Sequence, residues 1–218
     1  MAEGTPPLGG RSDYAQRVLS EGDLHADPLT QFQRWVDAAI AAELPEPLAA
    51  ALATADAAGN PSVRMILLRG IAADGLRFYT NYESRKGRDL AANPHAALSL
   101  WWPGLERQVR CSGQVRRLTE EESAAYFSSR PEESRLGARV SRQGEPISSR
   151  TELEAALAVE RAAHEGGAPI DLPPFWGGYC LAPDRWEFWQ GGRFRLHDRF
   201  EYRRAAPDAA WEIRRLQP

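Results

Sequence analysis

Trp186-Glu187-Phe188-Trp189-Gln190-Gly191-Gly192-Arg193-Phe194-Arg195-Leu196-His197-Asp198-Arg199 is the stretch on which the fold turns. Strand-forming aromatic residues reach a Gly-Gly pair and leave through alternating basic side chains, so the pattern predicts a tight β-hairpin. On its second strand, alternation puts Arg193, Arg195, His197 and Arg199 on one face and Phe194, Leu196 and Asp198 on the other. Four potential donors in a row repel one another unless solvent, carboxylates or a ligand separates them. Two readings stand at this point: a solvated arginine-rich edge strand, or a wall that faces an anionic partner.

Working outward, the 218 residues suit one domain with a substantial core. Lys+Arg 27 against Asp+Glu 30 gives a net charge of −3 with the two signs interleaved, which disfavours general nucleic-acid binding. Cys111 and Cys180 are far apart, and His25, His95, His164 and His197 show no ligand spacing. The sequence therefore suggests no metal site and no disulfide framework, and a reducing cytoplasm fits. No run has the length of a membrane span, and the start MAEGTPPLGG lacks a basic-then-apolar signal, so residues 1–26 read as a flexible N-terminal segment and 27–218 as a single domain. Almost all the positive charge is arginine, and Lys86 is the only lysine. It is either a chance survivor or a place where a compact ammonium is wanted.

Asp27-Pro28 opens a helix with an N-cap acid and a first-turn proline, and Leu29, Phe32, Trp35, Val36, Ala39 and Ile40 give it an apolar face up to Pro45. Runs 48–55, 62–69 and 76–81, separated by Gly59-Asn60-Pro61 and Asp74-Gly75, predict an antiparallel meander. Ser84 caps a short helix whose first turn holds Arg85, Lys86 and Arg88. Cations there oppose the partial positive charge of a helix N-terminus, so an anion between them is expected and Lys86 becomes a phosphate-site candidate. Strands 96–102 and 107–118 follow. Thr119 to Glu122 is a capping box, and its helix carries Tyr126 and Arg130 before Pro131 and Ser134. Two hydroxyls and a guanidinium fork suit a phosphate monoester, although an ordinary surface helix end has the same spacing. A solvated amphipathic helix over 149–165, a Gly/Pro-rich linker 166–174, a strand 175–189 and a last strand 211–216 complete the chain. Six to eight strands with three or four inserted helices predict a mainly β fold, a small closed or half-open antiparallel barrel; no Gly-x-Gly-x-x-Gly follows a strand.

Taken together, Arg64-Met65-Ile66-Leu67-Leu68, Phe78-Tyr79-Thr80-Asn81 with Ser84-Arg85-Lys86, Glu106-Arg107-Gln108-Val109, Tyr126-Phe127-x-x-Arg130-Pro131, Phe175-Trp176-Gly177-Gly178, Glu187 to Gly191, Arg195 to Phe200 and Arg215-Leu216-Gln217-Pro218 resemble the pyridoxamine 5′-phosphate oxidase family, collinearly from Arg11 to Pro218. The resemblance implies an FMN-binding split β-barrel, Greek-key-like, working as a homodimer with FMN where the subunits meet and a C-terminal dimerisation and active-site region over about 175–218. By that resemblance Arg64, Met65, Ile66, Leu67, Leu68, Arg69, Tyr79, Thr80, Arg85 and Lys86 hold FMN from one subunit. Gln108, Gln143, Gly144, Trp189 and Arg199 contact it largely from the other. Tyr126, Arg130 and Ser134 clamp the substrate phosphate with Arg69 nearby, Arg195 and His197 lie over the pyridine ring as the catalytic pair, and Arg11 and Tyr14 belong to a segment that folds over the site. The implied reaction passes a hydride from the substrate C4′ to flavin N5, converting pyridoxine or pyridoxamine 5′-phosphate to pyridoxal 5′-phosphate; dioxygen leaves as hydrogen peroxide, and the amine also yields ammonia.

Two departures from the family pattern stand out. Arg69 occupies a position usually held by lysine, which keeps the charge and changes its reach. Gln16 to Gly22 replaces a Gly-Gly-Leu-Arg-Arg-like run, leaving fewer bases there. Two rival readings differ in what they demand. A related flavin oxidase acting on a phenazine-type intermediate has no phosphate ester for Tyr126, Arg130 and Ser134 to hold, and a non-catalytic split-barrel carrier of flavin, haem or pyridoxal phosphate needs no Arg195/His197 pair.

Overall fold

The computed structural model describes residues 14–206 and 208–218, and Arg11 lies outside them. Asp27 accepts from the Leu29 and Thr30 amides and starts α1 (Pro28–Ala41). β1 (Ala49–Ala55) and β2 (Pro61–Leu67) form a hairpin, and β3 (Gly70–Ala72) pairs with β4 (Gly75–Asn81). α2 (Arg85–Ala92), β5 (His95–Trp102) and β6 (Arg107–Arg117) come next. The capping box of Thr119 and Glu122 holds the start of α3 (Glu120–Ser129), and α4 (Glu132–Val140) and α5 (Arg150–Ala163) follow. β7 (Trp176–Gln190), β8 (Asp198–Arg203) and β9 (Glu212–Arg215) end the chain.

The nine strands form one antiparallel sheet in the order β2-β1-β5-β6-β7-β4-β3, with β8 on β7 and β9 on β8. It curls into a half-barrel, the mainly β fold that the strand and helix pattern predicts. The expected meander over 48–81 breaks after its first hairpin. β4 does not lie beside β2; it crosses to β7, pairing Leu76 with Leu181 and Asn81 with Trp176. Its residues are buried on both faces, so it belongs between two neighbours, a demand that alternation alone does not reveal. α4 is a helix that the sequence pattern does not predict, because Pro131 masks a new start directly after α3.

The core lies between α1 and the concave face of the sheet. Phe32, Trp35, Val36 and Ala39 pack against Leu52, Leu98, Val109, Trp186 and Phe188, whereas Ile40 points out at 53 % exposure. Ring contacts carry much of this packing: Phe32 lies 5.3 Å from Trp186, Trp35 5.2 Å from Phe188, and Phe188 5.4 Å from Tyr202. Tyr202 buries its ring and donates its hydroxyl to the His25 carbonyl at 2.9 Å, so the chain ahead of α1 is tied to β8. Phe188→Ala removes the ring shared by the last two of these contacts and is expected to cost about 3–5 kcal/mol. Urea unfolding at fixed protein concentration checks this, and a loss below about 1 kcal/mol would show that the ring is not a keystone.

Candidate active site

β2, β4 and α2 meet α3 and α4 around a cavity of about 1060 Å³. Arg64, Met65, Ile66, Leu67 and Arg69 line it from β2 and the turn after it, Tyr79 and Thr80 from β4, and Lys86 from α2. Tyr126, Arg130 and Ser134 line its far side, and Gln143 reaches in from the loop after α4. The fold thus gathers into one space two sets of residues that stand some 60 positions apart.

Lys86 follows the N-cap Ser84, but its ammonium turns back toward β4. Nζ donates to Thr80 Oγ1 at 3.0 Å, Ser84 Oγ at 3.3 Å and Gln143 Oε1 at 2.6 Å. All three acceptors are neutral, and burial, helped by the nearby Arg64 charge, lowers its pKa to about 8. Arg64 is better compensated: it donates to the Leu52 carbonyl, Thr54 Oγ1 and Ser62 Oγ, with Asp89 at 3.9 Å. Asp89 in turn accepts from Thr54 Oγ1 at 2.6 Å and Ser62 Oγ at 2.9 Å. Sequence reasoning misses this buried acid, since nothing local links it to residues 54, 62 and 64. The expected crowd of three bases at the start of α2 is reduced to one. Arg88 turns away to the Glu83 carbonyl and Arg85 is exposed.

At the far side, Arg130 is not a residue of the helix that holds Tyr126. It is the extended C-cap of α3, with Ser134 in the first turn of α4, so the trio spans a corner between two helices. The Arg130 guanidinium lies 4.8 Å over Trp176, and its buried Nη1 has no hydrogen-bond partner. Burial, then the Arg69 charge, depresses its pKa. Tyr126 stacks on Tyr79 at 3.8 Å, and Tyr79 on Trp176 at 5.7 Å, so an aromatic floor runs through the cavity. Trp176, Asn81, Ser129 and Ser141 also line the space, and no charge or spacing in the sequence marks them. Leu68 is fully buried in the core and does not line the cavity; Gly144, at φ 94°, follows Gln143 on the exposed loop.

The other candidates gather elsewhere. Pairing aligns Trp101, Gln108, Trp189 and Arg199 across β5, β6, β7 and β8, so one rank of side chains shares one face. Beside it the predicted tight hairpin is absent. Gly191 and Gly192 enter an open loop with a 3-10 turn at Arg193–Arg195, in which Phe194 and Arg195 adopt φ 56° and 69°. That turn breaks the alternation: Arg193 and Arg195 are exposed, and His197 folds back to accept from the Gly192 amide on Nδ1 at 3.1 Å. Its ring lies 4.6 Å from Trp189, and Nε2 remains as the donor of the neutral form. Burial, then Arg195 and Arg199, lowers its pKa. Tyr14 stands edge-on to Trp189 at 5.7 Å and to His197 at 5.9 Å. Arg199 grips Glu187 through Nε and Nη2, both at 3.1 Å, and reaches the Gln217 carbonyl at 2.9 Å. None of Gln108, Trp189, Arg195, His197 and Arg199 lines the cavity, so one chain carries two separate clusters of candidate residues.

Among the described residues, no cluster of His, Cys, Asp or Glu could hold a metal, and no helix is long and apolar enough to cross a membrane. A curled antiparallel half-barrel with a cation-lined cavity and a separate aromatic wall places the chain in the class of split-barrel proteins. Residues 36–163 match the family model described as pyridoxamine 5′-phosphate oxidase, and 176–218 match the pyridoxine 5′-phosphate oxidase C-terminal dimerisation region. The chain is 52 % identical over 209 residues to the pyridoxine/pyridoxamine 5′-phosphate oxidase of Deinococcus deserti, covering 95 % of this chain and 97 % of that one. It is 53 % identical over 208 residues to pyridoxine/pyridoxamine 5′-phosphate oxidase 1 of Ralstonia nicotianae, with the same coverage. The crystal structure of PhzG from Burkholderia lata, in complex with tetrahydrophenazine-1-carboxylic acid, superposes with a TM-score of 0.86 at 34 % identity over 92 % of this chain and 98 % of that one. The chain belongs to the pyridoxamine 5′-phosphate oxidase family and is an oxidase of that family.

Because Lys86 is the only lysine, reductive methylation with a carbon-13 label gives one side-chain signal to titrate. Its midpoint is expected near 8, and added inorganic phosphate is expected to raise it. The native chain then binds fewer protons than the unfolded one between pH 8 and 10.5, so this group's contribution to stability increases with pH across that window. A midpoint near 10.5, unmoved by phosphate, would remove Lys86 as an anion ligand.

Proposed function

We propose that this chain oxidises pyridoxine 5′-phosphate and pyridoxamine 5′-phosphate to pyridoxal 5′-phosphate, with FMN as bound cofactor and dioxygen as electron acceptor. One observation carries the reading. A single cavity is lined by two separate groups of cations, buried Lys86 with half-buried Arg64 at one side and half-buried Arg130 with exposed Arg69 at the other. Among the described residues, Lys86, Arg69 and Arg130 have no carboxylate in ion-pair range, and Arg130 keeps an unpartnered buried Nη1. Two phosphate-bearing molecules in one space answer that charge: the cofactor's phosphate at Lys86, the substrate's at Arg130. The volume is also large for one small ligand.

FMN, when bound, supplies the chemistry of accepting a hydride from the substrate C4′ and returning the electrons to dioxygen as hydrogen peroxide. The chain's own residues do the rest. Lys86, Arg64, Thr80 and Gln143 hold the cofactor end. Tyr126, Arg130, Ser134 and Arg69 hold the substrate phosphate by charge-assisted hydrogen bonds, and the longer fork of Arg69 takes the place of a point charge. Arg195 and His197 face the pyridine ring. Arg195 offers charge near the ring oxygen, and His197, neutral at pH 7, donates from Nε2. Since the wall does not line the cavity of its own chain, a homodimer in which the wall of one subunit closes the cavity of the other completes each site, with Gln108, Trp189 and Arg199 on the partner's flavin.

The test is direct. The purified protein should be yellow, and in air either vitamer phosphate should yield peroxide and aldehyde. Absence of both products would refute the reading. Oxidation of a reduced phenazine carboxylate in their place would favour the phenazine-type activity, which has no phosphate for Arg130. Lys86→Ala is expected to weaken FMN binding about 10- to 100-fold while leaving the loaded enzyme active. Arg195→Leu is expected to lower kcat about 100-fold at unchanged FMN content. Equal loss of both properties in both variants contradicts the assigned roles.

A further inference from the structure

We propose that Glu21, Asp198 and Arg215 form a latch that fixes the segment carrying Tyr14 against the Trp189/His197 wall, making them positioning residues for the substrate. The consequence for the substrate rests on the function proposed above; the latch itself does not.

Residues 15–20 form neither helix nor strand, so no backbone ladder holds them in place. Their amides go to side-chain carboxylates: Gln16 N donates to Glu106 Oε2 at 3.1 Å and Leu19 N to Asp198 Oδ2 at 2.9 Å. Leu19 is the one residue of this stretch that is buried.

Arg215, on β9, closes the arrangement. Nε and Nη2 take both oxygens of Glu21 at 2.9 and 3.2 Å, Nη1 takes Asp198 Oδ1 at 2.6 Å, and Nη2 also donates to the Leu19 carbonyl at 3.3 Å. The guanidinium lies 4.3 Å over Phe200. Glu21 first, then Asp198, raises its pKa, so the fork stays charged. An isolated exposed pair contributes little, but one planar fork spanning two carboxylates and a carbonyl fixes a geometry as well.

Asp198 makes the latch relevant to the site. One of its oxygens holds the segment and the other holds β9, and it directly follows His197 at the end of the loop that carries Arg195. At the far end of the segment, Tyr14 packs edge-on against Trp101, Trp189 and His197. Gly191 makes room for it: a Cβ there would come within 2.7 Å of Tyr14 Cγ. The latch and the aromatic box are thus the two ends of one strap that crosses the reaction wall.

The strap contains one tryptic bond that reports its release, Arg17–Val18, and the experiment uses the full-length, flavin-loaded protein. Arg215→Gln is expected to speed cleavage at Arg17 about tenfold, with Glu21→Gln intermediate. Arg215→Lys should resemble Arg215→Gln more than the parent, because an ammonium cannot span both carboxylates. The KM for pyridoxine 5′-phosphate should rise about three- to tenfold in Arg215→Gln with a smaller change in kcat. Parental cleavage rates in both Arg215→Gln and Glu21→Gln would overturn the latch, and faster cleavage at unchanged KM would overturn the positioning role. Should Arg215→Gln fail to fold, Glu21→Gln decides alone, since its side chain is 69 % exposed. If the parent protein oxidises neither vitamer phosphate, the function reading fails and the proteolysis comparison still decides the latch.

Discussion

One strand must serve two sets of neighbours, and much of the structure follows from it. β7 runs for fifteen residues with β6 beside nearly all of it, but its first half faces β4 and its second half faces β8. The register shifts opposite Ser112 and Gly113, where Asp184 is the extra residue and Pro183 sits at the irregularity, a place where a missing N–H costs no ladder bond. A bulge bends and twists its strand, so the two halves present different faces at different ends. The β4 end delivers Thr80 and Lys86 to the cavity. The β8 end delivers Trp189, His197 and Arg199 to the wall.

Charge is partitioned along the same division. On the wall and its surroundings several arginines are neutralised, although Arg193 and Arg195 stand exposed: Arg199 and Arg110 share Glu187, Arg185 pairs with Glu201, and Arg215 joins Glu21 to Asp198. Inside the cavity Lys86 has neutral acceptors, and Arg130 stacks on Trp176 with one nitrogen unpartnered. Burying a cation without an anion is costly, and a fold keeps such groups where a ligand completes them. The net charge of −3 conceals this contrast, because it averages the paired arginines outside with a cavity in which Lys86, Arg69 and Arg130 have no carboxylate in ion-pair range among the described residues.

Local chemistry was legible where it depends on neighbours in the chain. Asp27-Pro28, Ser84 and the Thr119/Glu122 box each mark a helix start that the structure contains, because capping is settled within four residues. The lone lysine stood out for the same reason, its charge clashing with the helix end on which it lies. The Gly-Gly pair was misleading. It suits a tight turn, yet Gly191 is required by contact with Tyr14 and Glu106, and Gly192 by the close approach of the Leu196 carbonyl, both set by the open loop.

The sequence by itself determined the mainly β character, the helix starts and the residue types of the two cation groups that line the cavity, since propensity, capping and charge act over a few residues. Only the tertiary structure decided that β4 leaves its own meander for β7, that Asp89 stands under Arg64, and that Trp101, Gln108, Trp189 and Arg199 form one rank. Strand order and register depend on which buried faces find each other across tens of residues, and no local signal carries that information. The opening stretch shows both sides. Its aromatic half is the strand that the pattern predicts, while its basic half owes its shape to positive φ angles and to the Gly192–His197 hydrogen bond, which arise only once the chain has closed around it.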